Sequence, residues 1–228
     1  YDSGNNQAAV EKALEISGYN ELRKKQEELR KEGKYIGIGF TTIPHRSSYN
    51  IIGMAVPNPN VLLNVSPASV SLDLNDAGQV IVTLYFARSG QSYKTNVAKM
   101  VADYLGIDIN DVNVVYEEDS LLSLYDAEPG GSRQTPMIDM VLGEALKRFK
   151  DRLIRVASLV LPWDPQHLVY ENGYVKATNN PEKKISLKEL AFIVNWQNFR
   201  IPSEDVGFRV NATLNSPSTV VDEKRRFY

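Results

Sequence analysis

Apolar residues recur along this chain with two periods, and the switches between them mark its elements. From Gln7 to Ser17 the apolar positions are Ala9, Val10, Ala13, Leu14 and Ile16, the spacing of a short helix that Gly18 ends. Asn20 reads as the N-cap of a second, charge-rich helix running to about Glu32 and closed by Gly33. With so few apolar residues it predicts a solvated surface helix. Tyr35 to Ile43 is a strand candidate, and the Pro-, Asn- and Ser-rich stretch from Pro44 to Asn60 predicts a long loop. Period two then takes over. Ser69 to Leu74 alternates, Asn75-Asp76-Ala77-Gly78 signals a turn, and Gln79 to Ala87 continues as a second strand, so the pair predicts a β-hairpin.

Helical spacing returns from Tyr93 to Leu105, with Val97, Met100, Val101 and Leu105 on one face and Gly106 as the stop. Val112 to Tyr116 is a third strand. Pro136 to about Leu161 is a long amphipathic helix, with Pro136 in the first turn, where a missing N–H costs nothing. Beyond Pro162, His167 to Tyr170 and Tyr174 to Ala177 flank Asn172-Gly173, a strong hairpin signal. Ser186 and Glu189 have capping-box spacing ahead of a helix from Leu187 to Val194. The final thirty or so residues read as irregular or edge strand. The order strand, strand, helix, strand, helix, hairpin, helix predicts an α+β fold of mixed sheets packed with helices. It predicts one domain over residues 1–228, with a possible subdivision near residue 162 into a main part and a tail of hairpin and short helix.

Composition narrows the function more by exclusion than by direction. The chain has 228 residues, a net charge of -2 and no cysteine. Disulfides, thiol catalysis, Fe–S ligation and cysteine-based zinc sites are therefore excluded from it. The charge balance gives no pull toward nucleic acid, and no stretch nears the roughly 20 apolar residues a membrane span requires. A cytoplasmic location is the expectation. The first residue is Tyr1, which suggests a sequence that begins inside a longer gene product or was processed. The two histidines, His45 and His167, have no carboxylate pair at metal-ligand spacing and read as surface or hydrogen-bonded groups. Glu117-Glu118-Asp119 reads as a solvated charge run. The tyrosines show no stacking pattern with basic residues along the sequence. No Ser-His-Asp constellation and no P-loop is present.

Two loops share a design that suits anions. Arg88-Ser89-Gly90-Gln91-Ser92-Tyr93-Lys94-Thr95 leaves a strand and opens a helix; Gly130-Gly131-Ser132-Arg133-Gln134-Thr135-Pro136 opens the long helix. Each brings glycine, hydroxyl and amide side chains and a cation to a helix N-terminus, where unpaired N–H groups and the dipole favour negative charge. Ordinary helix capping explains the same residues, and spacing leaves the two readings about even.

A resemblance bears on that choice. Tyr1-Asp2-Ser3-Gly4, Ala13-Leu14-Glu15-Ile16, Gly18-Tyr19 and Gly37-Ile38-Gly39 resemble an internal stretch of the large subunits of molybdenum hydroxylases, the family of xanthine dehydrogenase, aldehyde oxidase and CO dehydrogenase. Gly90-Gln91 followed by Thr95 is similar to the family's G-Q-G-x-x-T loop. Leu105-Gly106-Ile107 and the strand from Val112 resemble the helix end and strand that come after that loop. Ser132-Arg133, Thr135 and Pro136 resemble the S-R-S-T-P loop of CO dehydrogenase-like members, and Gly207 to Pro217 resembles a later stretch. Ser92, Lys94 and Gln134 depart from the family pattern, as does the Pro129-Gly130-Gly131 approach.

The resemblance implies a molybdopterin-binding segment, with the cofactor as a cytosine dinucleotide carrying molybdenum. Gly90, Gln91, Ser92 and Thr95 from one loop, and Ser132, Arg133, Gln134 and Thr135 from the other, would hold it. It implies hydroxylation of an aldehyde, an N-heterocycle or CO with water as oxygen source. It also implies partners: the rest of the large subunit, and Fe–S and FAD subunits or domains. The family's G-G-G-F-G-G-K loop and its glutamate general base in a G-V-G-E motif are not in this sequence, so no catalytic or metal-binding residue is assigned. Two helix ends with one or two charge-assisted hydrogen bonds reach about 5–8 kcal/mol in gross terms, against about 12 for nanomolar retention. The expectation is a chain inactive alone, as a fragment or split subunit; a degenerate scaffold that keeps only the fold is the alternative.

Overall fold

A computed structural model of the chain describes residues 5–41, 67–86, 88–119, 121–122, 124, 126 and 132–214. The chain divides into two compact units, Tyr1–Arg46 and Ser47–Tyr228. The smaller contains α1 (Asn6–Ile16) and α2 (Tyr19–Lys31), neither of which buries a residue. Asn5 caps α1, its side chain accepting from the Ala8 N–H at 3.0 Å. Asn20 is not the cap of α2. Gly18 holds that position at φ +62°, a left-handed turn that lets α2 follow α1 at once and draws Asn20 inside the helix. The strand expected from residue 35 is absent over 35–41: this stretch forms no ladder and is tied to α2 by Gln26 Nε2 donating to the Ile36 carbonyl at 2.8 Å. Its last two residues, and the loop expected from Pro44 to Asn60, lie outside the described residues.

The larger unit is built on a four-stranded sheet of order β3-β2-β1-β7, formed by β1 (Ala68–Leu74), β2 (Val80–Leu84), β3 (Val112–Tyr116) and β7 (Arg209–Leu214). β1 pairs antiparallel with β2 and β7, and β2 runs parallel to β3. The register stacks Val82 against Leu72 and Val114, and Leu72 against Val210. Period two therefore gathers the apolar residues of all four strands on one face. α3 (Tyr93–Leu105) packs on β3, and α4 (Gln134–Val160) on β1 and β7. Their stripes Val97, Val101 and Leu105, and Val141, Leu142, Ala145, Leu146, Phe149 and Leu153, are closed from solvent. The opposite face is polar and hydrogen-bonded: Ser71 bonds to Tyr85 and to Asn211, and Arg209 Nε donates to Asp73 at 2.7 Å.

A second sheet, β4-β5-β6, joins β4 (Leu168–Glu171), β5 (Tyr174–Ala177) and β6 (Asn180–Ser186) in antiparallel order. It feeds α5 (Leu187–Trp196), which starts on a full capping box of Ser186 and Glu189. The β4–β5 turn locks onto the far end of α3: Gly173 N–H and the Tyr170 hydroxyl both donate to the Leu105 carbonyl, at 2.9 and 3.0 Å. A Cβ on Gly106 would stand 2.7 Å from the Asn172 Cα, so glycine is required there. Two sheets packed with helices make the chain α+β, as the element order predicts. No helix among the described residues is long and apolar enough to cross a membrane.

Candidate functional site

β2 and β3 are adjacent and parallel, so their C-terminal ends lie at one edge of the sheet. β2 leads into the first of the two anion-suited loops, and the second is tied to the same edge by Asp126, which bonds both Gln134 and the N–H of Ser69 at the start of β1, antiparallel to β2. The ladder runs one step past the strands, Glu117 N–H donating to the Leu84 carbonyl at 2.9 Å, which holds the two exits together.

The first loop is exposed and shaped by its backbone. Gly90, Gln91 and Ser92 all have positive φ, at +78°, +54° and +56°. Nothing lies within 4 Å of where a Gly90 Cβ would stand, so the backbone there is open to approach. Ser92 occupies the N-cap of α3 yet makes no side-chain capping bond. A capping serine needs extended backbone to reach back to the helix N–H groups, and the left-handed turn aims it elsewhere. Gln91 accepts a hydrogen bond from the Ser89 hydroxyl at 2.9 Å. Thr95 is exposed in the first turn.

A cluster of rings beneath this loop fixes it to the sheet. Phe86 meets Tyr93 and Tyr116 edge-on at 5.0 and 5.7 Å, while Arg88 and Lys94 both sit 5.5 Å from the centre of the Tyr116 ring. Burial raises the Tyr116 hydroxyl above its ordinary range, against the opposing effect of Arg88. Arg88 also pairs with Glu118, so the acidic run after β3 is partly an anchor. Cation–ring stacking is therefore present, although the sequence shows no pattern of it, because its partners come from three different elements. His167 bonds through Nδ1 to Asp164 at 3.0 Å, as a hydrogen-bonded histidine; His45 lies outside the described residues.

The second loop reverses the first. Ser132 is exposed at φ +55°, but Arg133 and Gln134, which open α4, are 1 % and 2 % exposed. Arg133 at the N-cap makes no side-chain capping bond. Thr135 faces solvent, and Pro136 takes the third helical position. Gly130 and Gly131 lie outside the described residues. Below the helix start lies a buried corner that the sequence does not reveal. Asp126 accepts from the Ser69 N–H at 2.8 Å through Oδ2 and from Gln134 Nε2 at 3.3 Å through Oδ1. Burial lifts its carboxyl to about 6, against the pull of those bonds and of Arg133. Gln134 Oε1 is buried with no hydrogen-bond partner.

The sites meet at one corner. Val70 lies across from Leu84, so one step further Ser69 lies beside Tyr85, where the first loop leaves β2. The Ser69 hydroxyl bonds in turn to Thr213 of β7 at 2.9 Å. The N-cap residues of α3 and α4, Ser92 and Arg133, make no side-chain capping bond, whereas those of α1 and α5 do, so N-capping does not account for these two residues. What remains is open helix N-termini, glycine-lined backbone, exposed hydroxyl and amide groups, and a buried acceptor without a donor.

A family model described as "Molybdopterin cofactor-binding domain" matches residues 12–224. The large chain of carbon monoxide dehydrogenase from Afipia carboxidovorans is 30 % identical over 212 residues, covering 89 % of this chain and 25 % of that protein. The large subunit of nicotine 6-hydroxylase from Paenarthrobacter nicotinovorans is 26 % identical over 203 residues, covering 89 % and 24 %. Among solved structures, CO dehydrogenase from Oligotropha carboxidovorans superposes with a TM-score of 0.65 at 24 % identity, over 95 % of this chain and 27 % of the other. Quinoline 2-oxidoreductase from Pseudomonas putida 86 gives 0.64 at 23 %, over 90 % and 25 %. At those identities the two structures attest the fold. The chain spans about a quarter of the length of the relatives it matches.

Proposed function

This chain belongs to the molybdopterin cofactor-binding domain family of molybdenum hydroxylase large subunits, and on that premise we propose that the starts of α3 and α4 hold the molybdenum cofactor in its cytosine dinucleotide form. One observation carries the reading: α3 opens after the end of β2, the start of α4 is tied through Asp126 to Ser69 at the adjoining start of β1, and the N-cap residues of both helices, Ser92 and Arg133, make no side-chain capping bond. Their N–H groups and dipoles are thereby kept for a pyrophosphate or another anion.

The residues fit such a group. Gly90 lets it approach the backbone, and Gln91, Ser92 and Thr95 stand exposed beside it. Ser132 and Thr135 do the same at α4, with Arg133 behind them in the buried corner and the unpartnered Gln134 Oε1 beside it. When bound, the cofactor supplies the two-electron redox chemistry; these residues bind, orient and exclude water. No described side chain combines a general base with an open position in this corner, so proton transfer falls to the remainder of the large subunit. The whole-enzyme activity proposed is oxidative hydroxylation of an aldehyde, an N-heterocycle or CO in the cytoplasm, with Fe–S and FAD partners; the resemblance supports the reaction and the partners, and the relatives' names bear on nicotine and CO as substrates of those proteins.

The test is molybdenum and cytidine phosphate content of the assembled enzyme carrying Gln91→Ala. Lowered content is expected. Content equal to wild type would overturn the assignment of this loop, and an assembled wild-type enzyme free of pterin would favour a scaffold that has kept only the fold.

A further inference from the structure

The corner beneath α4 contains a carboxylate that the cofactor-binding reading leaves without a task. Gln134 is 2 % exposed, and its amide is split between two fates: Nε2 donates to Asp126 Oδ1 at 3.3 Å, while Oε1 has no partner. The other oxygen of Asp126 is committed to the Ser69 N–H at 2.8 Å, near the start of β1. We infer that Asp126 is a positioning residue: it fixes the Gln134 amide with nitrogen inward, so that Oε1 is presented as an acceptor for an N–H donor of the bound cofactor.

Donors and acceptors decide the orientation. An ionised carboxylate only accepts. With its carboxyl at about 6, Asp126 is predominantly ionised at neutral pH. Turning the amide over would set Oε1 against Oδ1, two acceptors with no proton between them. The orientation is therefore dictated, and what it leaves over is an acceptor. A buried acceptor left unsatisfied is costly, and almost all such groups find a donor. Two donors are available in principle: a trapped water, or a heterocyclic N–H of the ligand. They differ in one respect. Water donates and accepts equally well; a ring or exocyclic N–H only donates.

The inference rests on the reading that the α4 entrance holds the cofactor, and the experiment separates the two. In Asp126→Asn, Oδ1 keeps the Ser69 N–H and Nδ2 becomes a donor facing Gln134. The Gln134 amide then turns over and offers Nε2 where an acceptor stood. In Asp126→Asn with Gln134→Glu, the acid and the amide have exchanged places, and an oxygen faces the ligand again. Each variant is made in the assembled enzyme, with Gln91→Ala as the marker of the site. Pterin retained after exhaustive dialysis is measured by fluorescence, alongside molybdenum content and melting temperature.

Asp126→Asn is expected to weaken retention at least about 10-fold with no fall in melting temperature, and the exchanged pair to recover most of that loss. A merely structural carboxylate would lower the melting temperature and gain nothing from the exchange. If Gln91→Ala loses pterin while Asp126→Asn keeps it, the acceptor serves a water and the inference is overturned. If neither variant loses pterin, the reading of the site itself falls. Should Asp126→Asn fail to assemble, Gln134→Met keeps the volume and removes the acceptor: weakened retention supports the inference, and unchanged retention overturns it.

Discussion

At the start of α3 the chain is exposed, and three consecutive residues with positive φ carry the constraint; at the start of α4 the side chains are buried, and an Asp126–Gln134–Ser69 network beside Arg133 carries it. Both leave their helix uncapped. The first stores its order in backbone torsions that water reaches freely, and clamps the result from below with rings and cations. The second stores it in charge and hydrogen bonds that are largely closed to water. Backbone strain is a local quantity, whereas a buried polar network couples strands and helix. Damage at α4 should therefore spread into the fold, and damage at α3 should stay in the loop.

Arg133→Ala is the severest test of that contrast. It removes a large, fully buried side chain and the cation that helps draw the Asp126 carboxyl down, so a loss of about 2–3 kcal/mol is expected in chemical denaturation. A loss below about 1 kcal/mol would show that the corner is not the stronger of the two. The second test is pH. The Asp126 carboxyl is raised in the folded chain from 3.8 to about 6, so between those values the folded state binds more protons than the unfolded state. Stability must then fall as pH rises through that window. The upper limit is about 3 kcal/mol, and partial exposure of Asp126 brings the expected loss to about 1–2 kcal/mol. Asp126→Asn should remove this slope, in melting curves from pH 4 to 7, and be the more stable protein at pH 7. An identical slope in the variant would rule out Asp126 as its source.

The strained loop should answer with smaller numbers and, in one case, the opposite sign. Ser92→Gly relieves a left-handed serine at an exposed site and is expected to stabilise by about 1 kcal/mol, read as a rise of a few degrees in melting temperature. A decrease would mean that the serine side chain makes a contact worth more than the strain. Lys94→Ala removes one of the two cations over Tyr116 and should cost about 0.5–1 kcal/mol, with the loss diminished in Tyr116→Leu.

The sequence reads well wherever a single element decides its own form. The β1–β2 hairpin, α3 with its Gly106 stop, β3, the Asn172-Gly173 turn and the α5 capping box agree with local periodicity and turn chemistry. Asn20 misleads because Gly18, two residues earlier, takes the left-handed conformation at the N-cap and starts the helix before Asn20 is reached. The residues of both loops are legible as glycine, hydroxyl and amide groups at helix starts, but not whether they cap. That turns on the sign of φ at Ser92 and on the burial of Arg133, both set by packing. Asp126 is illegible for a stronger reason. Its partners Ser69 and Gln134 lie 57 residues before it and 8 after it, and only sheet register brings them together.

The pairing of β1 with β7 has a consequence for the order of events during synthesis. Ser69, whose N–H anchors Asp126, is bonded through its hydroxyl to Thr213, 144 residues along the chain. Closing so long a loop is entropically slow, and β1 lacks its outer neighbour until β7 has left the ribosome. The corner under α4 is thus completed only after everything from β1 to β7 has emerged. On the proposed reading, a cofactor held there would be received only once β1 and β7 have paired, and its retention would report that pairing.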